Sequence, residues 1–289
     1  MPMSRTGRFA PSPTGMLHFG SLVAALGSWL HAHANGGHWL VRVEDIDPPR
    51  EVPGSAAGIL ATLTAFGLVA DATPLLQSTR GAAYAAALDA LRSDGHAFPC
   101  WCSRHDLEQS GQSHRDGCCL VPPRDDRPPA WRLRVPDVDI DFTDVLRGPQ
   151  RQNPRTTVGD FVLRRNDGLW SYQLACVVDD AFQNITDVVR GADLLDSTPR
   201  QILLQRLLGL PTPNYLHLPL ALDATGHKLS KSGAGPAVNA DNPCPTLAMA
   251  LRFLGQPVAK GATTTEMLQH AVQHFDLAEL RAMTSRHAG

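Results

Sequence analysis

The sequence predicts an α/β fold with a parallel sheet, because strand patterns and helix patterns alternate along its first hundred residues. Residues 18–35 repeat apolar side chains at helical spacing and end near two glycines. The run that follows, HWLVRVED, is a continuous strand-type segment, as expected for a buried strand of a parallel sheet. Helical patterns recur at about residues 55–66 and 80–94. Strand, helix, strand and helix in this order are typical of α/β domains.

The composition favours a globular protein without a general affinity for nucleic acid. The chain has 289 residues, of which 43% are hydrophobic and 19% are charged, and its formal net charge is −2. This length allows one large domain or two to three packed modules with a sizeable core. Because the charge is nearly balanced, any contact with RNA has to come from a local basic surface.

The ends and the apolar segments predict a cytoplasmic protein. The first residues, MPMSRTGRFAPSP, lack the apolar stretch of a secretory signal. The longest apolar stretches, such as residues 22–30, are interrupted and too short to span a bilayer. We therefore expect a soluble cytoplasmic chain with no membrane partner and no evident obligate protein partner.

A first motif, PSPTG followed by HFGS, lies where a strand is expected to turn into a helix. The unpaired N–H groups at a helix start are a natural seat for phosphate. Gly20 removes a side chain where a nucleotide would approach closely, and His18 can donate to a phosphoryl oxygen in a transition state. Taken alone, the same residues also fit a turn-rich loop with a surface histidine.

A second motif is the lysine loop HKLSKS, which contains Lys228 and Lys231. Two lysines three residues apart can bracket a triphosphate with point charges, and the glycines around them allow the loop to open and close. Alone, this segment also fits a solvated basic loop. The pairing of both motifs in one chain favours a site for ATP.

The two motifs together resemble the HIGH and KMSKS signatures of class I aminoacyl-tRNA synthetases, written here as HFGS and KLSKS. The segments RFAPSPTGMLHFGSL, RVEDIDPPRE and SYQLACVVDDAFQNITDVVRGADLL resemble the glutamyl branch of that class. The resemblance covers about residues 5–235 in the same order. It implies a Rossmann-type parallel-sheet catalytic domain with an inserted zinc-binding, acceptor-type subdomain and a short C-terminal helical region.

Domain boundaries follow from these segments and from changes in composition. We expect the first half of the catalytic domain in residues 1–97 and an insertion with a zinc module and mixed strands and helices in residues 98–185. The second half, with the KLSKS loop, is expected in residues 186–238, and a short helical region in residues 239–289. No anticodon-binding domain is expected.

A glutamate pocket needs cations for two carboxylates, an anion for the ammonium group and a means of rejecting glutamine. The resembling segments offer Arg8 and Arg190 for the carboxylates, Glu44 for the ammonium group, and Ser12 and Tyr172 as hydroxyl partners. The planar guanidinium of arginine suits a carboxylate, and glutamine would leave that buried charge unpaired. These positions match, one by one, those that the glutamyl family uses.

For Arg190 the alternative is an ordinary ion pair with Asp187 or Asp193. The resemblance implies that the glutamate α-carboxylate attacks the α-phosphorus of ATP, which yields glutamyl-adenylate and pyrophosphate. In that reaction His18 and the backbone of Gly20 would contact the phosphates. Lys231, and secondarily Lys228, would hold the leaving pyrophosphate, and Mg²⁺ would arrive with ATP.

A cluster of cysteines and a histidine near residue 100 indicates a structural zinc site. Four side chains are suitable ligands: Cys100, Cys102, His114 and Cys118. A metal there would hold together an insertion that is too polar to form its own core. Cys119 and His105 compete for a ligand position. The alternative is a set of free cytosolic thiols that bind no metal.

Only 57 residues follow Ser232. In its length, its HFGS motif and its Cys-x-Cys insertion, the chain resembles one family in particular, the glutamyl-queuosine tRNA(Asp) synthetases. That resemblance implies activation of glutamate without tRNA, followed by transfer to queuosine in the anticodon loop of tRNA(Asp). Five arginines are candidates for RNA contacts and equally fit a solvated strand face: Arg147, Arg151, Arg155, Arg164 and Arg165.

Two other functions remain open at this level. One is a truncated glutamyl-tRNA synthetase that charges the 3′ end of tRNA(Glu). The other is a non-catalytic, synthetase-like protein that binds glutamate or tRNA as a regulator. The retained residues His18, Lys228 and Lys231 favour an enzyme over a regulator.

Overall fold

The computed structural model describes residues 5–109, 114, 117–221 and 238–286. Its strands are β1 (Thr6–Phe9), β2 (His38–Val43), β3 (Leu75–Leu76), β4 (Ala97–Cys100), β5 (Ala130–Leu133), β6 (Ile140–Asp144), β7 (Gly148–Gln152), β8 (Val162–Arg164), β9 (Asp187–Gly191) and β10 (Asn214–Leu218). Its helices are α1 (Phe19–Ala34), α2 (Ser55–Ala65), α3 (Gly81–Ser93), α4 (Arg104–Gln109), α5 (Pro154–Thr157), α6 (Tyr172–Phe182), α7 (Thr198–Leu207), α8 (Pro243–Phe253), α9 (Thr264–Gln273) and α10 (Leu277–Arg286).

A seven-stranded sheet in the order β3-β2-β1-β9-β10-β6-β7 forms the centre of the molecule. All neighbouring pairs are parallel except β6 and β7, which form an antiparallel hairpin. The predicted α/β fold with a parallel sheet is thus confirmed. β1 lies between β2, the next strand along the chain, and β9, which follows much later. The strand order therefore reverses between β1 and β9.

Two hydrophobic cores cover the two faces of this sheet. Neighbouring residues on one strand enter different cores: Val188 packs with α6 and α7, and Val189 packs with α1. This alternation follows from the two-residue period of a strand. Burial of both faces explains why β2 has a nearly continuous apolar pattern in the sequence.

Residues between β4 and β8 contribute to two different sheets. β4, β5 and β8 form a separate antiparallel sheet, whereas β6 pairs in parallel with β10 and thereby joins the main sheet. The sequence predicts strands in this part of the expected insertion but not that a hairpin from it extends the catalytic sheet. That pairing joins Tyr215 to Asp144 and cannot be derived from local patterns.

The C-terminal part is helical, as the sequence predicts. Thr263 and Glu266 begin α9 with a capping box, in which each side chain accepts a hydrogen bond from the backbone of the other residue. Apolar residues of α8 and α9 pack on α1, so this region covers one face of the sheet. In the part of the chain that the structure describes, no helix has both the length and the apolar character needed to cross a membrane.

Candidate active site

The main cavity lies at the carboxyl ends of β1 and β9, where the strand order reverses. Ligands of open α/β sheets bind at such a position. The cavity has a volume of about 650 Å³. It brings together six of the residues that the sequence predicts for glutamate and ATP: Arg8, Ser12, His18, Gly20, Tyr172 and Arg190.

The start of α1 forms the phosphate side of this cavity. His18 is the N-cap residue, and its Nδ1 accepts a hydrogen bond from the backbone N–H of Ser21 at 3.2 Å. The proton of a neutral ring therefore resides on Nε2, which lies 2.9 Å from the Ser21 hydroxyl. A Cβ at Gly20 would lie 3.4 Å from the His18 ring. The helix start thus offers backbone N–H groups and an imidazole donor to an anion.

Arg190 is a buried cation with neutral partners. Its guanidinium donates to the Thr198 hydroxyl at 2.8 Å, the Gln201 side-chain oxygen at 2.8 Å and the Tyr172 hydroxyl at 3.3 Å. No described carboxylate lies within 4.0 Å of it. Asp187 instead pairs with His31 at 3.3 Å. Burying a charge without a counterion is costly, so the geometry favours an anionic ligand at Arg190.

Arg8 has a different environment, because a buried carboxylate binds it. Asp180 of α6 accepts from Nε of Arg8 at 3.1 Å and from Arg42 at 2.8 Å. Burial favours the neutral acid, but the charges of Arg8 and Arg42 outweigh it and lower the pKa of Asp180 to about 2. Asp180 is therefore ionised and holds both arginines in place. Asp180 and Arg42 are not among the site residues predicted from the sequence. A charged residue within an apolar strand or helix is nevertheless a sequence signal for a functional site.

Glu44 follows β2 and lines a second cavity of about 210 Å³ that adjoins the first. Ser12, Thr14 and Tyr172 line both cavities. Burial raises the pKa of Glu44 to about 7, against the opposing charges of Arg42 and Arg8. Its Oε1 is buried and has no hydrogen-bond partner among the described residues. The same oxygen lies 3.9 Å from the Arg42 guanidinium, beyond hydrogen-bond distance. A buried carboxylate oxygen without a hydrogen bond fits a ligand that carries a donor, such as an ammonium group.

The charges of the site match those of glutamate. Three arginines, Arg8, Arg42 and Arg190, face two carboxylates, Asp180 and Glu44. With Glu44 ionised, these five buried side chains together carry one net positive charge. Glutamate carries one net negative charge, whereas glutamine carries none, so this balance favours glutamate.

The predicted lysines of the second motif, Lys228 and Lys231, lie outside the described residues. The last described residue before them is Ala221, which lines the main cavity. The prediction that these lysines hold the pyrophosphate therefore rests on the sequence motif alone.

A cluster of thiols lies at the end of β4. The sulfur atoms of Cys100, Cys102 and Cys119 lie within 4.8 Å of one another, and those of Cys102 and Cys119 are 3.7 Å apart. His114 places its Nε2 3.2 Å from the Cys100 sulfur. Cys118, which the sequence predicts as a ligand, is exposed, and Cys119 lies in the cluster instead. Because side chains of successive residues point in different directions, the sequence alone cannot show which of Cys118 and Cys119 faces the cluster.

The cluster fits a tetrahedral metal ion. With zinc–sulfur bonds of about 2.3 Å, two thiolate ligands of a tetrahedral site are about 3.8 Å apart. The distance between Cys102 and Cys119 agrees with this value. The backbone N–H of Trp101 donates to the Cys119 sulfur at 3.1 Å, which favours a thiolate there. Burial raises the pKa of the Cys100 thiol to about 12, so a bound cation would be needed to ionise it at neutral pH.

Four of the five arginines that the sequence proposes for RNA have partners within the protein. Arg151 pairs with Asp139, Arg165 pairs with Asp167, Arg164 lies 4.7 Å from the Trp170 ring, and Arg147 donates to the His217 carbonyl at 3.2 Å. The fifth, Arg155, lies in α5. An RNA role for this set stays a prediction.

Comparison with known proteins agrees with the geometry of the site. Residues 5–273 match the family described as class I tRNA synthetases (E and Q), catalytic domain. The chain is 57% identical to the glutamyl-Q tRNA(Asp) synthetase of Xanthomonas axonopodis pv. citri, over 93% of this chain and 90% of that protein. The chain belongs to the glutamyl-Q tRNA(Asp) synthetase family. A relative of the same name from Burkholderia cenocepacia is 55% identical over 86% of this chain and 87% of that protein.

Solved structures show the same fold. The glutamate–tRNA synthetase of Elizabethkingia anophelis superimposes with a TM-score of 0.80 at 26% identity, over 96% of this chain and 66% of that one. The glutamate tRNA ligase of Elizabethkingia meningosepticum, solved in complex with its amino acid, gives a TM-score of 0.78. The chain is therefore a synthetase-type enzyme with the catalytic fold of class I.

Proposed function

We propose that this chain activates glutamate with ATP and then transfers it to queuosine in tRNA(Asp). One observation carries the first step: a buried guanidinium, Arg190, has no anionic partner among the described residues and lines the same cavity as the start of α1. Arg190 binds the side-chain carboxylate of glutamate, and Glu44 binds its ammonium group. The α-carboxylate then faces the phosphates of ATP.

The chemistry needs no covalent nucleophile from the protein. The α-carboxylate oxygen attacks the α-phosphorus of ATP, the bond from that phosphorus to the bridging oxygen breaks, and pyrophosphate leaves with Mg²⁺. His18 and the N–H groups at the start of α1 stabilise the added charge on the phosphate oxygens. Positioning of both substrates in one cavity supplies a large part of the rate acceleration.

Glutamate-dependent exchange of labelled pyrophosphate into ATP tests this step. We expect exchange with pure protein and Mg²⁺ in the absence of any RNA, with glutamate and not with glutamine or aspartate. A protein that binds glutamate but shows no exchange would be the non-catalytic regulator, and the enzymatic proposal would be rejected.

Lys231→Ala should lower the rate of adenylate formation on the order of a hundredfold and change glutamate binding little. Its ammonium group is proposed to contact only the leaving pyrophosphate, so it acts on the transition state rather than on the amino acid. Exchange kinetics and calorimetric titration of glutamate separate the two effects. Lys260→Ala, at an exposed lysine that lines neither cavity, is the matched control. Equal losses of rate and of glutamate affinity would contradict the role.

The second cavity supports an acceptor that carries several hydrogen-bond donors. Besides Glu44, it is lined by Asp47, Glu51 and Gln77. The Oε1 atom of Gln77 is buried and has no hydrogen-bond partner among the described residues. Trp170 adds an aromatic wall. Queuosine carries a cyclopentene diol and a secondary amine, which are donors of this kind. We propose that a diol hydroxyl enters beside Glu44 and attacks the carbonyl carbon of the adenylate. An ester bond forms, the bond from that carbon to the phosphate oxygen breaks, AMP leaves and the hydroxyl proton is released to solvent.

We propose further that the thiol cluster binds one structural zinc ion. Cys100, Cys102 and one of the two following thiols, Cys118 or Cys119, would supply sulfur, and His114 would supply nitrogen. Four protein ligands leave no open position, so such an ion stabilises the small sheet and takes no part in the reaction.

Metal analysis should find about one zinc ion per chain, lost in Cys100→Ser and in Cys102→Ser. Comparison of Cys118→Ser with Cys119→Ser identifies the third thiolate, because the sequence favours the first and the described geometry favours the second. Cys244→Ser, at a thiol outside the cluster, is the control. A protein that contains no zinc and is unchanged by these substitutions would contradict a metal site.

A further inference from the structure

All five N–H donors of Arg190 are used by uncharged groups. Two of the acceptors are the Leu194 carbonyl at 3.3 Å and, for the Nε–H, the Nε2 atom of His217 at 3.1 Å. The remaining three are the hydroxyl and amide groups described above. The guanidinium is thus fixed on every side, yet none of its described contacts neutralises its charge.

His217 accepts this hydrogen bond because a buried carboxylate sets its tautomer. Its Nδ1 lies 2.6 Å from Oδ2 of Asp144, and both residues are fully buried. Burial raises the pKa of Asp144, but hydrogen bonds from His217 and from backbone N–H groups outweigh it, and the pKa is lowered. An ionised Asp144 only accepts, so Nδ1 carries the proton and Nε2 presents its lone pair to Arg190. Burial also lowers the pKa of His217, so its ring is neutral near pH 7.

We propose that Asp144 and His217 are positioning residues that hold Arg190 in place while leaving its charge for the substrate, and thereby set the preference for glutamate over glutamine. This inference rests on the proposed function, because it assigns the side-chain carboxylate of glutamate to Arg190. The negative charge of Asp144 is separated from the guanidinium by an imidazole ring. A carboxylate in direct contact would fix the arginine equally well but would compete with the substrate carboxylate.

The pairing of the hairpin β6–β7 with the main sheet places Asp144 beside His217. Asp144 is the last residue of β6, and β6 pairs with β10, which carries His217. The backbone N–H groups of His217, Leu146 and Arg147 donate to the same carboxylate, so its orientation is fixed by the chain itself. The hairpin thus supplies a buried anion behind the amino-acid pocket.

His217→Glu provides the sharpest test, because a glutamate carboxylate reaches the position of Nε2, next to Nε of Arg190. We expect the KM for glutamate in pyrophosphate exchange to rise at least tenfold. We also expect the ratio of the inhibition constant of glutamine to the KM for glutamate to fall at least tenfold, with the KM for ATP changed less than threefold. His217→Gln restores an uncharged acceptor and should recover most of the preference.

Asp144→Asn is a second variant in case His217→Glu does not fold. The asparagine amide can donate to Nδ1, which moves the ring proton to Nε2, where it opposes the Nε–H of Arg190. The same loss of preference is expected. His31→Gln is the matched control, because His31 forms another buried pair with an aspartate, Asp187, and does not line the cavity.

The outcomes separate the inference from the proposed function. Folded His217→Glu or Asp144→Asn proteins that keep the wild-type ratio of the glutamine inhibition constant to the KM for glutamate would overturn the inference, even if their overall activity falls. A fall in this ratio as large in His31→Gln would overturn it as well. A wild-type protein without glutamate-dependent exchange would reject the proposed function instead.

Discussion

Arg190→Ala should lower kcat/KM for glutamate in pyrophosphate exchange by about a thousandfold. The substitution leaves the substrate carboxylate buried without a counterion, which costs about 3–5 kcal/mol. The KM for ATP should change little, because the start of α1, rather than Arg190, is proposed to hold the phosphates.

Arg92→Ala is the matched control, since Arg92 is exposed and pairs with Asp89 away from the cavity. Thermal unfolding should confirm that both variants fold. Arg190→Lys keeps the charge but loses the planar contact with two oxygens, so it should retain a small part of the activity. Activity of Arg190→Ala within tenfold of the wild type would remove this residue from the pocket.

Glu44→Gln should lower kcat/KM for glutamate by a factor on the order of a hundred, because the amide cannot neutralise the ammonium group of the substrate. The wild-type pH profile should reveal the same residue. With a pKa of about 7 in the free protein, Glu44 is largely neutral at pH 6 and ionised at pH 8. Since only the ionised form pairs with the ammonium group, kcat/KM should rise with pH through about 7 and level off above about 8.

The Glu44→Gln and His18→Gln variants together show which residue controls the pH profile. In Glu44→Gln the rise of kcat/KM between pH 6 and 8 should disappear, while in His18→Gln it should persist at a lower rate. A rise that persists unchanged in Glu44→Gln would show that another group controls the profile.

Much of the fold follows from local patterns in the sequence. The elements β1, α1 and β2 can be predicted because periodicity and turn residues mark their bounds, and the motif at His18 predicts a phosphate site at the start of α1. The pairing of β6 with β10 cannot be predicted in this way, since six other strands and helices lie between the two strands along the chain.

The candidate site can be predicted only in part, because some of its contacts also join residues that are distant in sequence. Arg8, Glu44 and Arg190 are recognisable as single residues within motifs, but their protonation and pairing depend on neighbours that are distant in sequence. Asp180 neutralises much of the charge of Arg8, and Asp144 acts on Arg190 only through His217. Burial raises the pKa of Glu44, and burial is a property of the fold rather than of the motif.

The transfer of glutamate to queuosine is tested by measuring where labelled glutamate is attached to tRNA. The protein is incubated with ATP, Mg²⁺ and tRNA isolated from cells that contain or lack queuosine, and the labelled tRNA is cleaved to separate the anticodon arm from the 3′ end. We expect label only on queuosine-containing tRNA, and only in the anticodon arm. Label at the 3′ end of tRNA regardless of queuosine would identify a truncated glutamyl-tRNA synthetase and contradict the proposed function.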